Sequence, residues 1–257
     1  FEHALQVQPR HQQARLNLAN LLRSRRDFEG ALANYQILKE QSPTYPWLYL
    51  NLGLTHEQLG RLPDAEENYR TALRYNPHFA KAHQQLGQLL LRAGRGPEAI
   101  LEFRAGLQSI PCDADTRLSL CVALGQAAAW DDALRETRAA CARAPQELRF
   151  QLLLIDLLAG CPEDRVRDGR EALRLSQTLP RTGQPATDAR ILNVLSEAHA
   201  ELGQYDRAQE AARAALQAAQ SSGDSALIRQ INERLTLYRQ NRPYRISSQT
   251  ASAPGAP

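Results

Sequence analysis

The sequence predicts an all-α fold, a solenoid of antiparallel helix hairpins finished by a C-terminal capping helix. Three observations carry this. Pro9, Pro43, Pro77, Pro111 and Pro145 recur at 34-residue steps. Small and aromatic residues fall at fixed offsets between them, and a last apolar-striped segment precedes a Ser/Ala/Pro/Gly ending. A proline lacks an N–H and clashes with the preceding turn, so each one stops a second helix and redirects the chain.

Residues 1–11 fit the end of a preceding repeat, with Phe1, Ala4 and Pro9 at the aromatic, small and proline places. Residues 12–45 then give Leu18-Ala19, Leu22, Ala31, Tyr35, Leu38 and Pro43. Residues 46–79 spell the pattern most fully: Leu52-Gly53, Gly60, Ala65, Tyr69, Ala72 and Pro77. In 80–113 the same places hold Leu86-Gly87, Gly94, Ala99, Phe103, Gly106 and Pro111. Residues 114–147 form a weaker repeat that keeps Leu120, Cys121, Leu124, Ala133, Ala140 and Pro145 but puts Thr137 where the aromatic belongs.

After Pro145 the pattern bends. Residues 148–188 form an irregular, extended unit whose turn is replaced by Gly160-Cys161-Pro162 and a charged stretch to Gly169, with a second helix over about 168–179. The step from Leu148 to Ala189 is 41 residues, seven longer than the period, and insertions in stacked repeats sit in loops. Residues 189–222 restore the pattern through Leu195-Ser196, Gly203, Tyr205, Ala208, Ala212 and Ala215. A helix over 224–240 carries Leu227, Ile228, Ile231, Leu235 and Leu237 on one stripe, as a cap with a polar outer face requires. Residues 246–257 are expected to be a flexible tail.

The offsets have physical reasons. Small residues such as Ala19, Gly53, Gly87 and Cys121 let one helix approach its partner closely, with Ala65 and Ala99 expected opposite them. Tyr35, Tyr69 and Phe103 are expected to fill the wider space between one hairpin and the next. A single hairpin cannot hide its apolar face, so stability comes from stacking.

This pattern resembles the tetratricopeptide repeat family, whose 34-residue unit has small residues where two antiparallel helices touch and a proline after the second. The resemblance implies a right-handed superhelix with the first helices lining its concave surface. The residues just before and after the Leu-small pair point into that groove: Asn17 and Asn20, Asn51 and Leu54, Gln85 and Gln88. A ladder of side-chain amides, each both donor and acceptor, suits the backbone of an extended peptide. The first three full repeats are similar in this to the asparagine ladder of O-linked N-acetylglucosamine transferases. The likeness departs at Ser119, Leu153 and Val194. Gln13, Arg23, Trp47, Leu50, Gln58, Lys81, Gln84 and Arg92 complete the candidate partner-binding set, with Trp47 as an aromatic anchor. The closing run Leu237-Tyr238-Arg239 to Arg242-Pro243-Tyr244-Arg245 is similar to the ends of many bacterial multi-repeat proteins.

Composition narrows the function. A net charge of +3 with interleaved signs gives no nucleic-acid footprint, and no apolar run is long enough to cross a bilayer. Cys112, Cys121, Cys141 and Cys161 show neither CxxC nor CxxCH spacing, so no zinc or c-type haem site is expected. Cys121 reads as a small packing residue, and disulfides among the others stay open. His56, His83 and His199 read as packing residues, and Gly94-Arg95-Gly96 as a hairpin turn rather than a phosphate loop. No catalytic motif is present, so no cofactor or catalytic residue is expected.

The reading is therefore a non-enzymatic scaffold that binds a protein or peptide segment in its concave groove. The alternative is a recruiting region of a larger enzyme or multihaem cytochrome whose catalytic part lies upstream. That reading follows from a chain that starts mid-repeat without methionine. Self-association through the open N-terminal end is a further expectation, and bacterial cytoplasm and periplasm both remain open.

Overall fold

The computed structural model describes residue 8 and residues 11–246. The preceding-repeat reading of 1–11 and the tail beyond Ile246 lie outside the described residues. Thirteen helices are present among the described residues, with no strand. In order they are α1 Gln12–Ser24, α2 Phe28–Gln41, α3 Pro46–Gln58, α4 Leu62–Tyr75, α5 Ala80–Arg92, α6 Gly96–Ser109 and α7 Ala114–Gln126. Then follow α8 Trp130–Arg143, α9 Leu148–Gly160, α10 Gly169–Thr178, α11 Pro185–Glu201, α12 Tyr205–Ser222 and α13 Ser225–Arg239. The chain forms two compact units, one ending at Thr116 and one beginning at Arg117.

Helix starts come from two devices. Asp27, Asp168 and Asp224 accept from the backbone N–H three residues on, at 2.9, 2.9 and 3.0 Å, which satisfies a donor that the helix itself leaves orphaned. Pro46, Pro63, Pro97 and Pro185 stand in first turns, where a missing N–H costs nothing. The corner inside each of the first four hairpins is one motif repeated. Asp27, Arg61, Arg95 and Ala129 each donate their N–H to a carbonyl five residues back, at 2.9 Å, and the residue before each is left-handed. Those left-handed residues are Arg26, Gly60, Gly94 and Ala128, with φ of 64°, 74°, 74° and 55°.

In the first unit α1 packs on α2, α3 on α4 and α5 on α6, and α2–α3 and α4–α5 join neighbouring hairpins. Tyr35, Tyr69 and Phe103 are fully buried. Their place corrects the expected packing. A Cβ on Gly53 would stand 2.4 Å from Tyr69 Cε1, and one on Gly87 would stand 2.6 Å from Phe103 Cε1. The aromatic therefore lies directly over the glycine of its own hairpin, because a ring needs the room that the absent side chain leaves.

The second unit solves the same contact with other sizes. Cys121 meets Thr137, and at the same register the later hairpins place Ile155 and Ser196 on the first helix with Ser176 and Ala212 on the second, so glycine has given way to a larger residue and the ring to a smaller one. The loop between α9 and α10 absorbs the insertion. Asp168 N–H reaches back to Leu158 O at 2.9 Å, and Arg167 donates to Cys161 O and Pro162 O at 2.8 and 3.0 Å. The cap α13 packs on α12 and buries Leu227, Ile231, Leu235 and Tyr238. Ile246, assigned to the tail from sequence, is buried instead.

Candidate peptide-binding faces

In the first unit the candidate residues all lie on first helices α1, α3 and α5, and α1 and α3 are in contact. Asn17, Asn20, Leu54, Gln85 and Gln88 are half-buried, leaving part of each side chain accessible. Two of these amides are engaged within the fold. Asn17 accepts from Gln13 Nε2 at 2.9 Å, and Asn20 accepts at 2.7 Å from the hydroxyl of buried Tyr35.

Asn51 differs from its neighbours in the ladder. It is only 6 % exposed, and its Nδ2 donates at 2.7 Å to Trp47 O, one turn back in its own helix. Asparagine competes with the helix for such carbonyls, so an amide at this register is free to turn inward. Leu50 and Gln84 are also buried, with Gln84 accepting from Lys81 Nζ at 2.7 Å. Trp47 is 47 % exposed and meets Phe79, the residue before α5, edge-on, with centroids 4.7 Å apart. The Pro43 loop is tied by Tyr49, whose hydroxyl donates to Pro43 O at 2.6 Å.

At the other end of these helices a polar chain crosses from α1 to α5. Arg23 donates to Gln58 Oε1 at 3.5 Å, Arg92 pairs with Glu57, and Tyr69 donates to Glu57 Oε2 at 2.8 Å. Burial, with the Glu57 carboxylate beside it, pushes the Tyr69 phenol far up, so it stays a donor. Further back, His83 bridges α5 and α6 through Glu102 at 2.6 Å and Pro77 O at 3.0 Å. His199 contacts Gln204 Oε1 at 2.8 Å, and His56 lies 3.7 Å from Asp64.

The second unit carries a row that the amide-ladder reading passed over. Asp156 and Glu197 follow their Leu-small or Leu-large pair as Asn20, Leu54 and Gln88 do. Glu197, with its side chain 1 % exposed, pairs with Arg234 of α13 and accepts from Asn193 Nδ2 at 3.1 Å. Arg234 also reaches Asp156 Oδ1 at 3.4 Å. Burial pushes the Glu197 carboxyl well up, against the pull of the Arg234 guanidinium. The signal that would have found this row is the register already used in the first unit.

All four cysteines are free thiols, with Cys121 and Cys161 buried, and burial pushes the Cys121 and Cys141 thiols up to about 11. Among the described residues no helix is long and apolar enough to cross a membrane.

Models of the tetratricopeptide repeat match residues 19–60, 50–114 and 189–222. No curated protein sequence matches the chain. Among solved structures, PilF of Pseudomonas aeruginosa is similar at 18 % identity, with a TM-score of 0.62, covering 86 % of this chain and 96 % of that one. PilW, a type IV pilus biogenesis factor, is similar at 17 % identity and a TM-score of 0.60, covering 86 % and 98 %. YrrB, a TPR protein with an unusual peptide-binding site, is similar at 17 % identity and 0.53, covering 90 % and 97 %. At these identities the likeness establishes the fold. With its repeated corners, its stacked hairpins and these matches, the chain is a tetratricopeptide-repeat protein across residues 19–114 and 189–222.

Proposed function

We propose that the chain is a protein-interaction scaffold whose first unit takes an extended peptide across α1, α3 and α5. The observation that carries this reading is the set of part-exposed amides Asn17, Asn20, Gln85 and Gln88 at one register of α1 and α5, with exposed Trp47 at the start of α3 and Arg23 and Arg92 in the last turns of α1 and α5. Amides supply paired donors and acceptors for a peptide backbone, an aromatic anchor adds apolar area, and the arginines favour a segment with acidic character. The peptide-binding site named for YrrB supports the same class of use.

Selection from a displayed random peptide library tests the reading. Peptides captured by the intact chain should be lost by a Trp47→Ala, Gln85→Ala, Gln88→Ala variant whose melting is unchanged. Capture that survives those substitutions would remove the first unit from the account. Asn20 and Asn51 are unsuitable probes, because their amides serve buried Tyr35 and the α3 backbone.

A further inference from the structure

The second unit shows what a bound segment looks like on a first-helix face, because the chain lays one there itself. After α13 the backbone reverses at Asn241, which is left-handed with φ of 53°, and residues 242–246 run on without helical structure. Ile246 N–H donates to Gly160 O, the free carbonyl at the end of α9, at 2.8 Å. Arg245 pairs with Glu201 Oε2 of α11 at 2.7 Å. The Arg234 guanidinium of α13 lies 4.3 Å from the centre of the Tyr244 ring. Ile246 is buried, and Gly160 permits the approach: a Cβ there would come 3.1 Å from Ile246 Cγ1 and 3.6 Å from Tyr244 Cδ1.

Each residue of the triplet thus has its own receptor on a different helix: a cation of the cap α13 for the aromatic, a carboxylate of α11 for the arginine, and a backbone carbonyl with a bare glycine at the end of α9 for the aliphatic residue. Glu201 is itself only 14 % exposed and is oriented by Arg167 at 2.9 Å, so the carboxylate is held in place by the α9–α10 loop. Main-chain pairing with side-chain pockets is the usual chemistry of extended-peptide capture.

We propose that the first-helix face of the second unit is a docking site for an extended aromatic–arginine–aliphatic segment, and that Tyr244-Arg245-Ile246 occupies it in cis. The tethered copy competes with any free segment of that chemistry, so external capture requires its displacement. This site is independent of the amide row of the first unit.

The test uses a fluorescent peptide copying residues 241–246 and a chain ended after Gln240. In anisotropy titrations the shortened chain should bind the peptide saturably, and the intact chain about tenfold or more weakly, because a tethered segment acts at high effective concentration. Glu201→Lys or Gly160→Val in the shortened chain should abolish binding, as should an Arg→Glu change in the peptide. A shortened chain that keeps its helicity and ignores the peptide would overturn the proposal, as would equal binding by both chains. If shortening unfolds the protein, the full chain with Tyr244→Ala and Arg245→Ala gives the same reading: it should gain peptide binding over the unaltered chain, and no gain overturns the proposal.

Discussion

The two units build the same hairpin from opposite size choices. In the first, glycine or alanine on the first helix sits beneath a tyrosine or phenylalanine on the second. In the second, Cys121, Ile155 and Ser196 stand where the glycines were, and Thr137, Ser176 and Ala212 where the rings were. At Cys121/Thr137 and Ile155/Ser176 volume passes from the second helix to the first, as close packing demands, whereas Ser196/Ala212 is small on both sides. The faces differ too. The first unit presents part-exposed amides and a surface ion pair, whereas the second buries Glu197 and Arg234 beneath its own returning chain.

The largest expected effect separates those two ion pairs. Arg234→Ala leaves Glu197 buried without its cation and should lower stability by about 3–5 kcal/mol in urea melts. Next comes the volume contact. Gly87→Cys alone should cost about 1–3 kcal/mol, while Gly87→Cys with Phe103→Thr, which copies the Cys121/Thr137 pair, should fall short of the summed single losses by about 1 kcal/mol or more. Strict additivity would break the idea that the units trade volume.

The corner residue gives a gain instead of a loss. Ala128 holds the left-handed place that Gly60 and Gly94 fill, so Ala128→Gly should stabilise by about 1 kcal/mol, read as a higher urea midpoint. A smaller effect concerns pH. Burial opposes charge on His83, but Glu102 and Pro77 O outweigh it and hold its pKa above the usual value. Its contribution is therefore full below about pH 6.5 and lost as pH rises through the folded value, so melting should fall over that window. His83→Gln should flatten that fall. Smallest of all, Arg92→Ala removes only an exposed pair with Glu57 and should cost less than about 1 kcal/mol.

Much of this was legible because a 34-residue period exposes itself through residues with few uses. Proline at the end of a second helix and Gly60 and Gly94 at corners have backbone reasons that sequence displays directly. Arg26 and Ala128 adopt the same corner without glycine, so only the period, and not the residue type, points to them. The partner of Gly53 was misread because both Ala65 and Tyr69 lie on the facing helix, and only the close approach tells which one sits over the gap. Asn51 turned inward by a local choice among hydrogen-bond acceptors that spacing does not encode. The fold-back of residues 242–246 depends on contacts with α9, far away along the chain, which no local pattern records.

The repeated corner has a further consequence. Residues 61–94 lie between junctions of matching chemistry, each entered after a left-handed residue and a carbonyl bridged five positions back. Excising or duplicating such a stretch rejoins like with like, so a gene encoding this architecture can lengthen or shorten by whole modules without inventing a new joint.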